Sequence, residues 1–164
     1  MSYDPENIFA RILRGEIPAQ KVYEDAATMV FMDIMPRADG HCLVIPKTPC
    51  RNILDAQTDQ LAAVMSTVQT MSRAVMRAFG AGGVTIQQFN EAAGGQEVFH
   101  LHVHVLPRHD GVALRPPGRP GVSAVQRVSA RRAKSPRVES CPPCPDASKL
   151  RFHCFARIGI RARV

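Results

Sequence analysis

From His100 to Leu106 the chain reads His-Leu-His-Val-His-Val-Leu, and polar and apolar residues alternate strictly through Val105. A period of two is the period of a strand, in which successive side chains point to opposite faces of the sheet. Read over Val98 to Pro107, such a strand puts His100, His102 and His104 on one face, spaced by roughly 6.5 to 7 Å per two residues. Leu101, Val103 and Val105 then face a core. The chain has only six histidines, and a solvent-facing strand ordinarily carries Thr, Lys or Glu there. The row therefore points to chemistry.

Two chemistries use such a row. An HxH pair on a strand supplies two zinc ligands, with His41 or His109 as a third and a water in the open position. Alternatively one imidazole attacks while its neighbours position and neutralise an anionic substrate. The flanking residues favour the second. Gly94, Gly95 and Gln96 precede the histidines, and glycines let backbone N–H groups approach an anion closely. Asn90 and Gln96 add neutral hydrogen-bonding side chains, whereas the histidine strand contains no carboxylate and only Glu97 lies near it. The reading is phosphate chemistry with no metal ligand assigned and no cofactor. Imidazoles packed side by side repel each other's protons, so the expectation is a neutral attacker beside a protonated neighbour.

The segment up to the histidines predicts one α+β domain. NIFARILRG (7–15) reads as a short amphipathic helix, followed by strands over 20–25, 27–34 and 41–46, the last two separated by the turn PRADG. From 55 to 79, Leu61, Val64, Met65, Val68, Met71, Val75 and Phe79 recur at helical spacing. Asp55 or Thr58 is the expected N-cap and Gly80 the stop, with the methionines read as core. Strands over 83–90 and 98–107, joined by a glycine-rich segment read as flexible, complete a five-stranded, mostly antiparallel sheet with the long helix across one face.

Charge divides the chain. Residues 1–114 carry nine Lys or Arg against twelve Asp or Glu, and residues 115–164 twelve against two. The net +7 is thus a property of the tail, and the part with the histidine row is mildly acidic. The tail is rich in Arg, Pro, Ser and Ala, without periodicity, and holds seven of the thirteen prolines. It reads as disordered or as the product of a shifted reading frame. A CPPC pair (141–144) with His153 and Cys154 offers poor tetrahedral zinc spacing. Non-specific contact of the basic tail with nucleic acid is conceivable on charge alone, and functional use of it is not expected. Five cysteines without a secretory leader indicate free thiols in the cytoplasm. No apolar run is long enough for a membrane span.

HLHVHVL fits the pattern His-φ-His-φ-His-φ-φ, φ being hydrophobic, at every position. Together with IFARILRGEIPAQKVYED, FMDI, GHCLVIPK and FNEAAGGQEVFHLHVHVLPR, it makes residues 5–118 resemble the histidine-triad (HIT) family, in particular its bacterial Hint-like branch. The resemblance implies a HIT-like fold over 1–118, with 119–164 a basic tail. It implies a homodimer whose two sheets join, and a nucleotide hydrolase or nucleotidyl transferase acting on the α-phosphate of a purine nucleotide substrate. Nucleoside phosphoramidates and dinucleoside polyphosphates are the substrate classes, the alternative being a non-catalytic nucleotide-binding or interaction protein on the same fold. Carried over, the nucleophile is His102, with His104 on the phosphoryl oxygens and His100 and His41 fixing ring orientation. Asn90, Gly95 and Gln96 align with phosphate-side contacts, Asp33 with the residue that bonds the ribose hydroxyls, and Ile34 with an apolar wall for the base. Two departures stand out: Glu97 replaces a serine found in branch members, and Asn7 and Ala10 stand where many bacterial relatives have a zinc-binding CxxC.

Overall fold

A computed structural model describes residues 2–117. The tail, and with it every expectation placed on 119–164, lies outside the described residues. Two helices, five strands and a short 3-10 turn follow one another: α1 (Ile8–Leu13), β1 (Lys21–Glu24), β2 (Thr28–Met32), β3 (Cys42–Pro46), α2 (Thr58–Phe79), β4 (Gly83–Gln87), the 3-10 turn (Ala92–Gly94) and β5 (Val103–Arg108). The strands form one sheet in the order β1-β2-β3-β5-β4, and all four pairings are antiparallel. The fold class predicted from the sequence is the one observed.

α1 begins where Asn7 caps it, its Oδ1 accepting the N–H groups of Phe9 and Ala10 at 3.0 Å. The helix buries Phe9 against Phe31, ring centroids 5.4 Å apart and edge to face. Phe9, Met29, Phe31, Leu43 and Ile45 form the core on this side of the sheet. Each such side chain removed from water stabilises the fold by about 1.5–3 kcal/mol. Cross-strand partners share a face, so the register Phe31↔Leu43↔His104↔Gln87 sets His104 in the same layer as this core.

α2 covers the other face with Val64, Thr67, Val68, Met71, Ala74 and Val75, and Thr67 Oγ1 meets Thr28 Oγ1 at 2.9 Å. Its start differs from expectation. Gln57 is the N-cap, and Gln60 reaches back to accept the Gln57 N–H at 2.8 Å. The Asp55 carboxylate is engaged instead by the N–H groups of Arg51 and Asn52. Met65 is 52% exposed, so it is not core. Small residues, Thr67 and Ala74, take part in the buried stripe, because the helix lies close to the sheet. At the far end Gly80 adopts φ 60° and stops the helix. Gly40, at φ 87°, approaches the Phe79 ring so closely that a Cβ there would lie 2.5 Å from it. The last helical turn thereby fixes the turn from which His41 emerges.

The histidine strand is shorter than predicted. β5 begins at Val103, so His100 and His102 lie in the segment before it. The cause is a change of backbone partner: β4 pairs with β5 only as far as Gln87↔His104, and the Leu101 N–H bonds to the Cys50 carbonyl at 2.9 Å. The segment read as flexible, Glu91 to Glu97, is tied down. Gln96 Oε1 accepts the Glu91 N–H at 2.8 Å and an Asn52 Nδ2 proton at 3.2 Å.

Candidate functional site

Backbone and histidine partners decide where each imidazole carries its proton. The Arg37 N–H points at His41 Nδ1, 3.2 Å away, which leaves the proton of neutral His41 on Nε2. That nitrogen lies 2.9 Å from His104 Nδ1 and donates to it, so His104 keeps its own proton on Nε2. His102 Nδ1 sits 2.7 Å from the carbonyl oxygen of His100. A carbonyl only accepts, so Nδ1 of His102 holds the proton and Nε2 has the lone pair. His100 is fully buried, its Nε2 donating to the Pro46 carbonyl at 3.0 Å and its Nδ1 facing the Tyr3 hydroxyl at 2.6 Å. It is held by the fold on both ring nitrogens. Its main chain, more than its side chain, reaches the site.

All four rings are pushed toward the neutral form. Burial is the first cause in every case, lowering His41 and His100 to about 4 and His104 to about 3, and shifting His102 downward. For His104 the neighbouring His102 and His41 add to the effect. This corrects the sequence reading, which put mutual repulsion first and expected one protonated neighbour. Desolvation dominates because all four rings are largely withdrawn from water, which would otherwise stabilise an added charge.

His41, His102 and His104 open onto a cavity of about 430 Å³. Ile12, Phe31, Ile34 and Leu43 supply apolar wall, and Asp33, Arg37, Gln87, Gly95 and Glu97 supply polar wall. His102 and His104 meet edge to face, centroids 5.1 Å apart. Asp33 does two things. Its Oδ1 accepts the Met35 N–H at 2.7 Å, shaping the turn after β2, and its Oδ2 stands 3.3 Å from His41 Nδ1. Ile34, 75% exposed, is wall and not core. Gly95, at φ 88°, is also on the lining.

Asn90 and Gln96 are not. Gln96 is 3% exposed, and its Nε2 donates to the carbonyls of Arg51 and Val98, so with Oε1 also engaged it has no capacity left for a ligand. Asn90 exchanges hydrogen bonds with Gln88 and accepts the Ile53 N–H at 3.1 Å. Both shape the loop that carries Gly95, and neither lines the cavity.

Sequence reasoning missed Arg37, Gln87 and Phe89. Arg37 belongs to a stretch read only as a turn, yet its Nη1 donates to Gln87 Oε1 at 3.3 Å and its Nε to the Arg115 carbonyl at 3.1 Å. Gln87 is the register partner of His104, a signal available once β4 and β5 are aligned. Phe89 stands edge-on to His104, with centroids 5.7 Å apart. His109 lies elsewhere, in an open depression of about 590 Å³ with Arg108 and Asp110, away from the imidazole cluster.

Asp33, His41 and His104 could each give one ligand atom to a metal ion, the atoms lying within 4.8 Å of one another. Their present hydrogen bonds compete with that use. His41 Nδ1 takes the Arg37 N–H and its Nε2 the His104 ring, so an ion would displace at least one of these contacts. Cys42 and Cys50 are buried free thiols, raised to about 12 and about 11 mainly by that burial and so held protonated. Among the described residues no helix is long and apolar enough to cross a membrane.

Comparison with known proteins agrees with this arrangement. A protein-family profile described as the HIT domain matches residues 14–111. The chain is 41% identical over 103 residues to protein hit of Bacillus subtilis, covering 62% of this chain and 70% of that one. It is 36% identical over 103 residues to adenylylsulfatase HINT3 of Arabidopsis thaliana, covering 63% of this chain and about half, 52%, of the plant protein. A crystal structure of a Hit-like protein involved in cell-cycle regulation from Bartonella henselae, with an unknown ligand, superimposes with a TM-score of 0.73 at 47% identity, over 80% of this chain and 96% of that one. A hypothetical histidine triad nucleotide-binding protein from Sulfolobus tokodaii gives a TM-score of 0.62 at 28% identity, over 92% of this chain and 87% of that one. Motif, sheet order and profile converge, and the chain belongs to the histidine-triad (HIT) family.

Proposed function

We propose that the protein is a nucleotide hydrolase or nucleotidyl transferase that works through a covalent nucleotidyl-His102. The observation that carries this reading is the 2.7 Å contact between His102 Nδ1 and the His100 carbonyl, which leaves an unprotonated Nε2 at a cavity wall. That lone pair attacks the α-phosphorus of a purine nucleotide conjugate. The bond from phosphorus to the leaving group breaks, and its electron pair departs with an amine or a phosphate, which water protonates. Water then adds its oxygen to phosphorus, the N–P bond opens, and its electron pair returns to Nε2.

The neighbouring groups fit that task. His104, whose Nε2 carries a proton, donates to a phosphoryl oxygen, and Gly95 lets the loop backbone approach the same group. His41 holds the His104 ring, and His100 supplies the carbonyl that sets the His102 tautomer. Asp33 is suited to the ribose hydroxyls and Ile34 to the base. A homodimer formed sheet to sheet belongs to the same reading, as does a cytoplasmic location. β4 ends the strand order and could take a second copy along its free side.

The test is a rapid denaturing quench of the protein mixed with an adenosine phosphoramidate, or in parallel with diadenosine polyphosphates, followed by intact mass measurement. A mass increase of one nucleotidyl group, absent from His102→Ala, is expected. Turnover with no adduct at any quench time overturns the covalent route. Binding of all compounds with turnover of none reduces the protein to a nucleotide-binding one.

A further inference from the structure

Among the charged side chains on the cavity wall, Glu97 differs in having no partner. It is exposed, it lines the same cavity as His102 and His104, and it makes no hydrogen bond or ion pair among the described residues. The other two charged groups are occupied. Asp33 is bonded to the Met35 N–H and stands beside His41. Arg37 is bonded to Gln87 and to the Arg115 carbonyl. Burial further divides the cavity: Phe31, Leu43 and His102 are buried, whereas Glu97 is at the solvent side. In the binding mode of the proposed function, with the nucleoside on the apolar wall and its phosphate at the imidazoles, the exposed rim is left for the leaving group. There the unpaired carboxylate is the charge it meets. The negative charge of Glu97 also reaches His102, where it favours the protonated ring, though by less than burial opposes it.

We propose that Glu97 is a specificity-determining residue that selects the leaving group by charge, so that the cavity takes nucleotide conjugates of amines bearing a further positive group in preference to those that release a phosphate chain. A cation there finds a counter-charge already free of other partners. A polyphosphate meets repulsion, and Arg37 would have to leave Gln87 and the carbonyl of Arg115 to offset it. The effect is moderate because the site is exposed: about three- to tenfold between opposite charges at an open rim, and screened by salt.

This inference rests on the hydrolase reading, and the experiment separates the two. Three adenosine 5′-phosphoramidates of equal length are compared, made from 1,4-diaminobutane, butylamine and 4-aminobutanoate, so that the leaving group ends in a positive, a neutral or a negative group. The ratio of kcat/KM for the positive over the negative conjugate is expected to be about three to ten in the wild type, to shrink toward one in Glu97→Gln, and to fall with added salt. A ratio that Glu97→Gln leaves unchanged, or a preference for the negative conjugate, overturns the proposal. Dissociation constants of the same three compounds are measured in His102→Ala and in His102→Ala with Glu97→Gln. If the wild type turns over none of them, the hydrolase reading fails. The binding series still decides whether Glu97 sorts ligands by charge, because a charge-blind series in His102→Ala overturns it.

Discussion

Arg51 and Glu91, forty residues apart, meet through two hydrogen bonds of 2.7 Å, from Nε to Oε1 and from Nη2 to Oε2. The guanidinium also lies over the Phe99 ring, 3.9 Å from its centroid. Glu91 has φ 59°, alone among the described non-glycine residues in being positive. A backbone conformation that side chains rarely adopt is thus held by a bidentate pair, with Asn52 adding a 2.7 Å bond to the same carboxylate. The pair fixes the start of the loop that ends at Glu97.

Acid should reveal that clamp. The Arg51 hydrogen bonds hold the Glu91 carboxyl down to about 2, below its ordinary value of 4.5. A depressed carboxylate stabilises the fold above its unfolded pKa, and that contribution is lost as pH falls through the folded value. Glu91→Gln, which keeps the shape and loses the charge, should therefore be less stable than wild type above 4.5, with the gap closing toward about 2. Thermal unfolding midpoints of both proteins across this window measure it. A gap independent of pH would show that the charge pair does not stabilise the loop.

The histidines act in the same direction over a higher pH window. Their folded values lie below 6.5, so the unfolded chain takes up protons first as pH falls. Stability should be full above 6.5 and decline steadily toward about 4, where the buried His41 and His100 begin to accept protons. The acid limb of kcat/KM should likewise fall below 6.5, since His102 is shifted downward. A pH-rate profile with its acid inflection at or above 6.5 contradicts the burial account.

His102→Ala should abolish turnover and leave nucleotide affinity within a few-fold of wild type, as bond-making is lost while ground-state contacts remain. Residual activity above a few per cent of the wild-type rate counts against His102 as nucleophile. Stability needs a parallel check, because His102 is 6% exposed and packs edge-on against Phe9.

Chelator treatment should not change turnover, since the imidazoles are committed to one another and to backbone groups. Loss of activity on chelation, restored by zinc, would instead point to the cluster of Asp33, His41 and His104.

Deletion of residues 119–164 should preserve turnover per folded molecule and remove most salt-sensitive retention on DNA, the remaining chain being net acidic. Turnover, protease resistance and DNA retention of the two proteins at low and moderate salt give the comparison. A deletion that folds and loses catalysis would assign the tail a part in the active site.

Periodicity made most of the fold legible. The stripe from Val64 to Val75 specified α2, and the alternation through Val105 specified β5, because burial on one face imposes its period on the residues. The boundaries were less visible. β5 stops short of His102 because Leu101 bonds to Cys50, a partner fifty-one residues away that no local pattern encodes. In the site, the histidine row was legible from its residues, and Asp33 and Ile34 through the family pattern; all three map to the cavity or its support. That Gln96 and Asn90 brace the loop off the cavity wall was not legible, because a polar side chain beside a phosphate-like glycine loop looks the same in sequence whether it faces a ligand or holds the loop. Arg37 was hidden by its turn, since its role depends on Gln87 across the sheet.

The carbonyl that orients His102 belongs to the main chain, and this changes what inheritance can do to it. No codon at position 100 deletes a carbonyl. Substitutions of the His100 side chain disturb it only by bending the path of the backbone, so alanine scanning will report His100 through folding and will pass over the group that sets the His102 tautomer. Replacing the peptide bond after His100 by an ester, which weakens that carbonyl as an acceptor, would address it directly, and imidazole nitrogen shifts of His102 would read the resulting tautomer. A proton address written in backbone atoms can drift only when the fold does, which makes it more durable over mutation than any side chain around it.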